Sequence, residues 1–401
     1  MKKNDIAAVI DEQATERADD LGMTRDALAN LPMEKKFATI VTGVRRAGKS
    51  TLLKQWTEQS KANAVSIHFD DLRLEPFDTT DFLLLDEIVR ERKADTLVLD
   101  EPQDIEGWER YVNGNLDAHR QVLVTGSNAK MLSMELGSKL TGRHLDLALT
   151  PFTFSEFCRF TQVEPNASAV ADYLSIGGFP AYVQTHRKEI LQELFNDIIY
   201  RDIVTRYNLR DSGPIRLLAN YLLGHIGCRI SPSRLKSAIG VASPATVLEY
   251  FNYLEETYLL RRLPCFNGSP KAKMVLPKKV YACDSGLVTA VQAKGDINLG
   301  HKLENLVYNV LSAQPGELSY FIDDDDATEC DFVLERPDGS FAAVQVAYEL
   351  DMDNEEQETV GAVKAMKRLG LKESTLVTYQ QSDVINKDGY LIRVVPAWEF
   401  L

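Results

Sequence analysis

Eight consecutive residues near residue 50 have the types and spacing of a phosphate-binding loop. The pattern G-x-x-x-x-G-K-[ST] is matched by Gly43, Val44, Arg45, Arg46, Ala47, Gly48, Lys49 and Ser50, and Thr51 follows. Glycines let the backbone wrap closely around phosphates, and successive N–H groups stabilise their negative charge. Lys49 is expected to reach the β- and γ-phosphates, and the Ser50 hydroxyl to ligate Mg²⁺. Residues 43–51 therefore predict a site for ATP and Mg²⁺.

Two carboxylates follow an apolar segment about fifty residues further along the chain. The run Thr96–Leu99 predicts a buried strand that ends in Asp100 and Glu101. We expect Asp100 to hold the magnesium shell and Glu101 to orient and polarise the attacking water. Alone, the pair would suit an ordinary acidic turn, but together with the phosphate loop it favours a hydrolytic site. The adjacent glutamate favours an ATPase over a GTPase.

Three further side chains are candidates for contact with the γ-phosphate. Ser127 or Asn128, after the apolar run 121–125, could sense it, although a helix N-cap is an equal alternative. Arg143 could supply positive charge to the transition state, in its own chain or in a neighbouring one, and a surface ion pair is the alternative. If it acts only across an interface, an isolated chain would be a slow ATPase. Arg45 and Arg46 could contact phosphate or a partner, or form structural ion pairs.

The elements that must position these residues follow from hydrophobic patterning. Short apolar, β-branched runs at 38–41, 64–69, 96–99 and 121–125 alternate with helical stretches, which is typical of parallel strands with helical crossovers. We therefore predict an α/β P-loop domain over residues 37–150. One or two surface helices precede it in residues 1–36. Residues 151–212 are amphipathic and helical, as in a lid.

Residues 213–290 have the texture of a winged helix. A short helix at 233–239, a turn, a second helix from Ser243-Pro244 and antiparallel strands at 258–263 and 278–283 are predicted, with Lys271 and Lys273 in the loop between the strands. DNA binding is one use of such a fold. The second helix carries Glu249, Glu255 and Glu256 and no arginine, which favours a packing or protein-contact role over direct DNA reading.

The last segment, 291–401, carries the layout of a restriction-endonuclease-like core. Glu304 lies on a predicted helix, Asp331 on a strand and Gln345 on the next strand. An active core of this kind also needs a second acid and a lysine. The acids hold magnesium, and the lysine helps to activate water. Gln345 occupies the position of that acid, and Ala347 that of the lysine. We therefore expect a nuclease-shaped domain without nuclease activity, or simply an α/β accessory domain.

Composition limits the class of protein. The 401-residue chain has a net charge of −14, so general adhesion to nucleic acid or acidic membranes is not expected. Its five cysteines form no C-x-x-C pair, which argues against a disulfide framework or a zinc cluster. The sequence shows no signal peptide and no apolar run of membrane-spanning length. We expect a cytoplasmic protein with no membrane partner.

The ordered set of motifs resembles a prokaryotic AAA+-type ATPase family. The resemblance rests on residues 43–53, 66–73, 99–103, 124–128, 177–180, 200–203, 281–287 and 303–305. It implies ATP as the nucleotide and the order ATPase core, helical lid, winged helix and nuclease-like domain. The leading hypothesis is an ATPase whose cycle moves the lid and winged helix, in contact with DNA. A nucleotide-bound scaffold and an ATP-gated nuclease are the alternatives, and a second copy or another protein remains open as partner.

Overall fold

The computed structural model describes residues 1–16, 21–34, 36–128, 142–266, 276–292, 298–323 and 328–401. The chain divides into two compact units. The first consists of Met1–Pro151 with Glu256–Tyr258, and the second of Phe152–Glu255 with Leu259–Leu401. Each unit has its own sheets and buried core.

A five-stranded parallel sheet forms the centre of the first unit. Its strands are β1 (Ala38–Thr42), β2 (Ala64–His68), β3 (Thr96–Asp100), β4 (Gln121–Gly126) and β5 (His144–Ala148). They are ordered β2-β3-β4-β1-β5, and all neighbours are parallel. The predicted α/β core with parallel strands is therefore confirmed. Because the strands are parallel, the residues that follow β1, β3 and β4 meet at one edge of the sheet.

Helices cover both faces of this sheet. They are α1 (Lys3–Glu16), α2 (Lys49–Ser60), α3 (Asp81–Glu91) and α4 (Trp108–Asp117), with a 3₁₀ turn at Asp26–Asn30. One face packs against α1, α3 and α4, and the other against α2 and the 3₁₀ turn. Ile6, Val9 and Ile10 of α1 are buried in the same cluster as the sheet residues. The predicted helix is thus present, with its apolar side in the core and its charged side exposed.

The second unit begins with a helical segment. The helices of the whole second unit are α5 (Phe154–Thr161), α6 (Ala167–Ile176), α7 (Pro180–Thr185), α8 (Lys188–Asp197), α9 (Gly213–Leu223), α10 (Pro232–Ala238), α11 (Pro244–Glu256), α12 (Ser285–Val291), α13 (Leu299–Ser312), α14 (Glu355–Leu369) and α15 (Ala397–Phe400). A π-helical stretch, Ile198–Thr205, follows α8 directly. Helix α5 begins with a full capping box between Thr153 and Glu156.

Two sheets complete the second unit. A small antiparallel sheet has the order β6-β8-β7, with β6 at Arg229–Ile230, β7 at Leu260–Leu263 and β8 at Lys278–Ala282. The larger mixed sheet has the order β13-β14-β12-β11-β10-β9. Its strands are β9 (Glu317–Ile322), β10 (Glu329–Glu335), β11 (Phe341–Val346), β12 (Glu373–Thr378), β13 (Asp383–Lys387) and β14 (Tyr390–Pro396).

A buried carboxylate joins two sequence motifs of the second unit. Asp284, just before α12, accepts hydrogen bonds from the backbone N–H of Gly178 (2.6 Å) and of Leu287 (2.8 Å). Burial raises the pKa of Asp284 to about 6, although these N–H groups and Lys302 pull in the opposite direction. At Gly178 an added Cβ would lie 2.2 Å from the Phe152 carbonyl oxygen, so only glycine fits this close approach. The Gly177–Pro180 motif is thereby tied to the segment before α12.

One expectation falls on a part of the chain outside this description. Lys271 and Lys273, in the loop between β7 and β8, lie outside the described residues. Within the described ranges, no helix is long and apolar enough to cross a membrane.

Candidate functional site

The phosphate loop connects β1 to α2 at the carboxyl edge of the parallel sheet. Gly43 has φ +140°, and an added Cβ would lie 2.1 Å from the Leu149 carbonyl oxygen. The loop can therefore close at this point only with glycine. Helix α2 begins at Lys49, so its first N–H groups point into the loop, as a bound phosphate requires. The backbone fits the predicted nucleotide.

Lys49 is the buried cation of this loop. Its side chain is 5% exposed, and Nζ donates to the carbonyl oxygens of Gly43 (3.1 Å) and Val44 (3.2 Å). The same Nζ lies 3.5 Å from Glu101 Oε1. Two of these three partners are neutral carbonyls, so phosphate oxygens can replace them without leaving a buried charge unpaired.

Ser50 and Asp100 meet as the sequence predicts. Ser50 Oγ donates to Asp100 Oδ1 at 2.9 Å, and the hydroxyl of Thr125 donates to the same oxygen. His68 Nδ1 lies 2.9 Å from Asp100 Oδ2. A hydroxyl and a carboxylate side by side are hard oxygen ligands of the kind that Mg²⁺ takes, usually together with substrate phosphates and waters. The residues present therefore fit the predicted ion.

Glu101 is held in a defined position beside Lys49. Its backbone has φ +56°, and its N–H donates to the Thr125 hydroxyl at 3.0 Å. Oε2 accepts hydrogen bonds from the N–H and the hydroxyl of Ser127, both at 3.1 Å, and from Gln103 Nε2 at 2.9 Å. Ser127 and Asn128 are each 1% exposed. Ser127 thus contacts the candidate water-activating carboxylate directly.

Arg25, which sequence reasoning missed, supports the loop from behind. Its guanidinium is nearly buried and donates to the carbonyl oxygens of Ala47 (2.7 Å) and Thr150 (2.8 Å). Its backbone N–H donates to Gln55 Oε1 on α2 at 3.3 Å. The residue precedes the motif by 18 positions and belongs to no recognisable pattern, so only the folded chain reveals that it ties the loop to α2 and to the end of β5.

The arginines predicted near the phosphates separate in the structure. Arg45 pairs with Asp70 at 3.5 Å, and Arg46 lies in the loop with φ +64°. Arg143 precedes β5, and its carbonyl oxygen accepts from Ala38 N–H at the start of β1. Its guanidinium pairs with Asp117 at 2.8 Å. It therefore lies at the amino edge of the sheet, opposite the phosphate loop, and the prediction that it acts within its own chain is wrong. Action on a neighbouring chain stays a prediction.

The second unit brings Glu304, Asp331 and Gln345 together, as predicted. They line a cavity of about 700 Å³. Asp331 N–H donates to Gln345 Oε1 (3.1 Å), and Gln345 Nε2 donates to Glu358 (2.9 Å). Val346 N–H donates to Asp331 Oδ2 (3.0 Å). The amide of Gln345 thus bridges the Asp331 backbone N–H and the Glu358 carboxylate instead of serving as an acid.

The cavity contains a lysine that the sequence analysis did not identify. Ala347 does line it without charge, but Lys279 of β8 reaches in from another element. Its Nζ lies 2.7 Å from Glu304, 2.8 Å from Asp331 and 2.5 Å from Glu329. Glu329 is a second group that the sequence analysis did not identify. No motif places a lysine of β8 beside a helix and strand that follow much later, so the signal exists only in the fold.

Burial and neighbouring charges both shift the pKa values of the groups in this cluster. Burial lowers the pKa of Lys279, but Asp331, Glu304 and Glu329 outweigh that effect and raise it well above its usual value. Burial raises the pKa of Glu304, and the negative charge of Asp331 raises it further by a smaller amount. The hydroxyl of Tyr281 donates to Glu304 Oε1 at 2.6 Å. The Glu304–Glu329–Asp331 cluster is therefore compensated by one internal cation.

Comparison with known proteins assigns the first site to a class. Residues 35–158 match the family described as an AAA domain, and residues 167–298 match a domain of unknown function. Together with the parallel sheet and the loop after β1, this match gives the first unit the fold of an AAA-type P-loop ATPase. The matched region includes Gly43–Thr51, Asp100 and Glu101.

Full-length relatives are similar to nearly the whole chain. An uncharacterized protein of Haemophilus influenzae is 26% identical over 391 residues, which covers 90% of this chain and 94% of the relative. An uncharacterized protein of Methanocaldococcus jannaschii is 29% identical, which covers 90% and 87%.

Two solved structures are distant neighbours. A Walker-type ATPase of Pyrococcus abyssi is 15% identical with a TM-score of 0.44, covering 64% of this chain and 91% of that one. The replication initiator DnaA bound to AMPPCP and single-stranded DNA is 16% identical with a TM-score of 0.29, covering 58% and 85%. At these scores neither likeness carries an argument.

Proposed function

We propose that this chain binds ATP with Mg²⁺ at the phosphate loop and hydrolyses it. The observation that carries the proposal is the convergence of Lys49, Ser50, Asp100 and Glu101 at the carboxyl edge of the sheet, with Ser50 Oγ 2.9 Å from Asp100 and Lys49 Nζ 3.5 Å from Glu101. One residue of each required kind is present: a cation for phosphate, two oxygen ligands for the metal and a carboxylate for water.

The side chains divide the work as follows. The N–H groups at the start of α2 and the Lys49 ammonium bind the phosphates and stabilise their charge. Ser50 and Asp100 hold the Mg²⁺, which when bound neutralises charge on the β- and γ-phosphates. Glu101 accepts a proton from, or orients, the attacking water. Its Oε1, which lies 3.5 Å from Lys49 Nζ, is the oxygen that can face the water, while Ser127 and Gln103 anchor Oε2.

ATP turnover by variants of the two key side chains tests the proposal. Lys49→Met and Glu101→Gln should each reduce magnesium-dependent phosphate release by about a hundredfold or more, because each removes a group that acts on the transition state. Lys61→Met at the end of the same helix and Glu106→Gln are the matched controls and should retain activity. Full turnover by Lys49→Met would show that the site is misread.

One observation favours a nucleotide-bound scaffold as the second candidate. Three hydrogen bonds hold Glu101 Oε2, and two of them come from Ser127. If ATP binding leaves these bonds intact and Oε1 stays beside Lys49, the carboxylate is not available to water, and ATP would stay bound without turnover. Isothermal titration calorimetry together with phosphate release separates the candidates, because tight binding without release is expected only of the scaffold.

The remaining parts of the chain extend the proposal. We assign residues 1–36 and 37–150 to the ATPase core, 151–212 to a helical lid, 213–290 to a winged helix and 291–401 to a nuclease-like domain. The order β6, α10, α11, β7, β8 supports the winged helix. Its second helix, α11, buries Val247, Phe251 and Leu254 and presents acidic residues. Contact with DNA is therefore a secondary proposal, tested by stimulation of ATP turnover with duplex or single-stranded DNA.

A further inference from the structure

The Lys279 ammonium has as many acidic partners as it has N–H donors. An ammonium group carries three donors and no acceptor. Its Nζ lies within 2.8 Å of one oxygen each of Glu304, Glu329 and Asp331. We propose that Lys279 occupies the position of a divalent cation between these three carboxylates, so that a side chain of the chain itself closes a latent metal site.

The geometry makes the lysine and an ion mutually exclusive. A hard divalent cation such as Mg²⁺, Mn²⁺ or Ca²⁺ binds carboxylate oxygens at about 2.0–2.6 Å. The oxygens of Glu304 and Asp331 lie 2.7 and 2.8 Å from Nζ, so an ion bound to both would overlap the ammonium. Within the described residues, no group of three His, Cys, Asp or Glu side chains is arranged to hold a metal as the protein stands. The carboxylates converge on nitrogen instead.

The backbone holds Lys279 in this position. It belongs to β8, the central strand of the antiparallel sheet, where it is paired with Arg229 on one side and Leu263 on the other. The side chain is 3% exposed. Access is not what excludes an ion, since the cavity of about 700 Å³ is large enough for a hydrated one. The lysine itself is the obstacle.

The other charges around the cluster do not replace the lysine. Arg229 Nε lies 3.4 Å from Glu329 Oε2, on the carboxylate oxygen that faces away from Lys279. The Tyr281 hydroxyl and the Val346 N–H contribute neutral hydrogen bonds to Glu304 and Asp331. Removing the ammonium would leave an oxygen-rich, acidic set of ligands, which is the donor chemistry of Mg²⁺, Mn²⁺ and Ca²⁺.

Titration of nucleotide-free protein with Mn²⁺, followed by electron paramagnetic resonance, tests the proposal. The wild type should show no Mn²⁺ binding that depends on Asp331. Lys279→Met should gain one Mn²⁺ at least about tenfold tighter than any site of the wild type. Adding Asp331→Asn should remove it. Lys278→Met is the matched control, because it loses the same charge from the adjacent position of β8 and should behave as the wild type.

Two results would overturn the proposal. One is tight, Asp331-dependent Mn²⁺ binding by the wild type, which would show that Lys279 does not exclude the ion. The other is a folded Lys279→Met variant that binds Mn²⁺ no better than Lys278→Met. Should Lys279→Met not fold, Lys279→Met with Glu304→Gln removes one negative charge and keeps an oxygen ligand, and the same gain is expected of it. The wild-type titration decides independently of either variant.

Discussion

Two buried lysines, one in each unit, face acidic side chains but differ in what holds them. Lys49 is 5% exposed and Lys279 is 3% exposed. Lys49 donates to two neutral carbonyl oxygens and lies 3.5 Å from a single carboxylate. Lys279 is within 2.8 Å of three carboxylates. A phosphate can exchange with the first set at little cost, whereas moving Lys279 away would leave the buried Glu304 and Asp331 and the partly exposed Glu329 without their shared cation.

The difference also explains why the role of Lys49 could be predicted from the sequence and that of Lys279 could not. Lys49 contacts the carbonyls of Gly43 and Val44, which belong to its own loop. Lys279 meets Glu304 across 25 residues and Asp331 across 52. The contacts of Lys49 lie within one short motif, whereas those of Lys279 arise from the packing of strands and a helix.

The largest effect expected from this comparison concerns stability. Lys279→Met should destabilise the second unit by about 3–5 kcal/mol, because it breaks a buried ionic cluster and leaves its acids uncompensated. Lys49→Met should cost less than Lys279→Met, because it removes two hydrogen bonds to neutral carbonyls and one longer ionic contact, and leaves a single carboxylate without its cation. Differential scanning calorimetry can follow the two variants. Equal shifts of the unfolding temperature would contradict the distinction between the two lysines.

The next prediction concerns a buried carboxylate whose hydrogen-bond partners are neutral. Burial raises the pKa of Asp284 from 3.8 to about 6, so the folded protein holds this proton more tightly than the unfolded chain. The stabilising contribution of the protonated group is complete below about pH 4 and is lost as the pH rises through 6. The free energy of unfolding of the wild type, relative to Asp284→Asn, should therefore fall by about 2.5 kcal/mol between pH 4 and 7.

Urea unfolding of both proteins across that pH range is the measurement. Taking the difference between them cancels the other titrating groups that they share. A difference that stays constant from pH 4 to 7 would mean that Asp284 titrates as it would in water, and that the Gly178 and Leu287 N–H groups offset its burial fully.

A smaller effect is expected from the group that holds Glu101. Ser127→Ala removes the hydroxyl donor to Oε2 and keeps the backbone N–H donor of the same residue. One hydrogen bond to a charged group contributes about 1.5–3 kcal/mol. The Ser127 N–H and Gln103 still donate to Oε2 in the variant, so the net loss is smaller. If the Ser127 hydroxyl restrains Glu101, the turnover number should rise about fivefold with the KM for ATP unchanged. A fall in turnover instead would make the hydroxyl a participant in catalysis, as the sequence-based γ-phosphate sensor requires.

How far the sequence predicted the structure depends on the range of the contacts. The runs before Gly43, Asp100 and Ser127 predicted β1, β3 and β4, because buried parallel strands are continuously apolar. The strand β5 was not predicted, since His144 and Asp146 interrupt its apolar residues. Helix α1 was predicted from Ile6, Val9 and Ile10, which form its narrow buried side among charged and exposed positions.

The candidate sites follow the same rule. Lys49, Ser50, Asp100 and Glu101 meet because parallel strands carry motif residues to one edge of a sheet, which general topology predicts. Arg25, Lys279 and Glu329 join their sites by tertiary packing of segments that no motif connects. For Arg143 the sequence left action in its own chain, action on a neighbouring chain and a surface ion pair open, because it does not reveal at which end of β5 the residue lies.

The smallest effect on dilute protein is expected at Arg143, and the dependence of turnover on protein concentration decides whether the first unit needs a cation from a neighbouring chain. Its guanidinium is paired with Asp117 at the amino edge of the sheet, so a single chain cannot use it on its own nucleotide. Arg143→Ala should therefore leave turnover of dilute protein within about twofold, since an exposed ion pair contributes about 0–1 kcal/mol. At high protein concentration the outcomes diverge. If a neighbouring chain uses Arg143 on its phosphates, wild-type turnover per chain should rise with concentration and the variant should lose that rise, because such an arginine contributes about 10³–10⁵ in turnover. If both proteins turn over ATP equally at every concentration, Lys49 and the N–H groups of α2 supply the positive charge. The difference between Lys49, whose partners a phosphate can replace, and Lys279, which three carboxylates hold, then suffices to explain the chemistry of the two units.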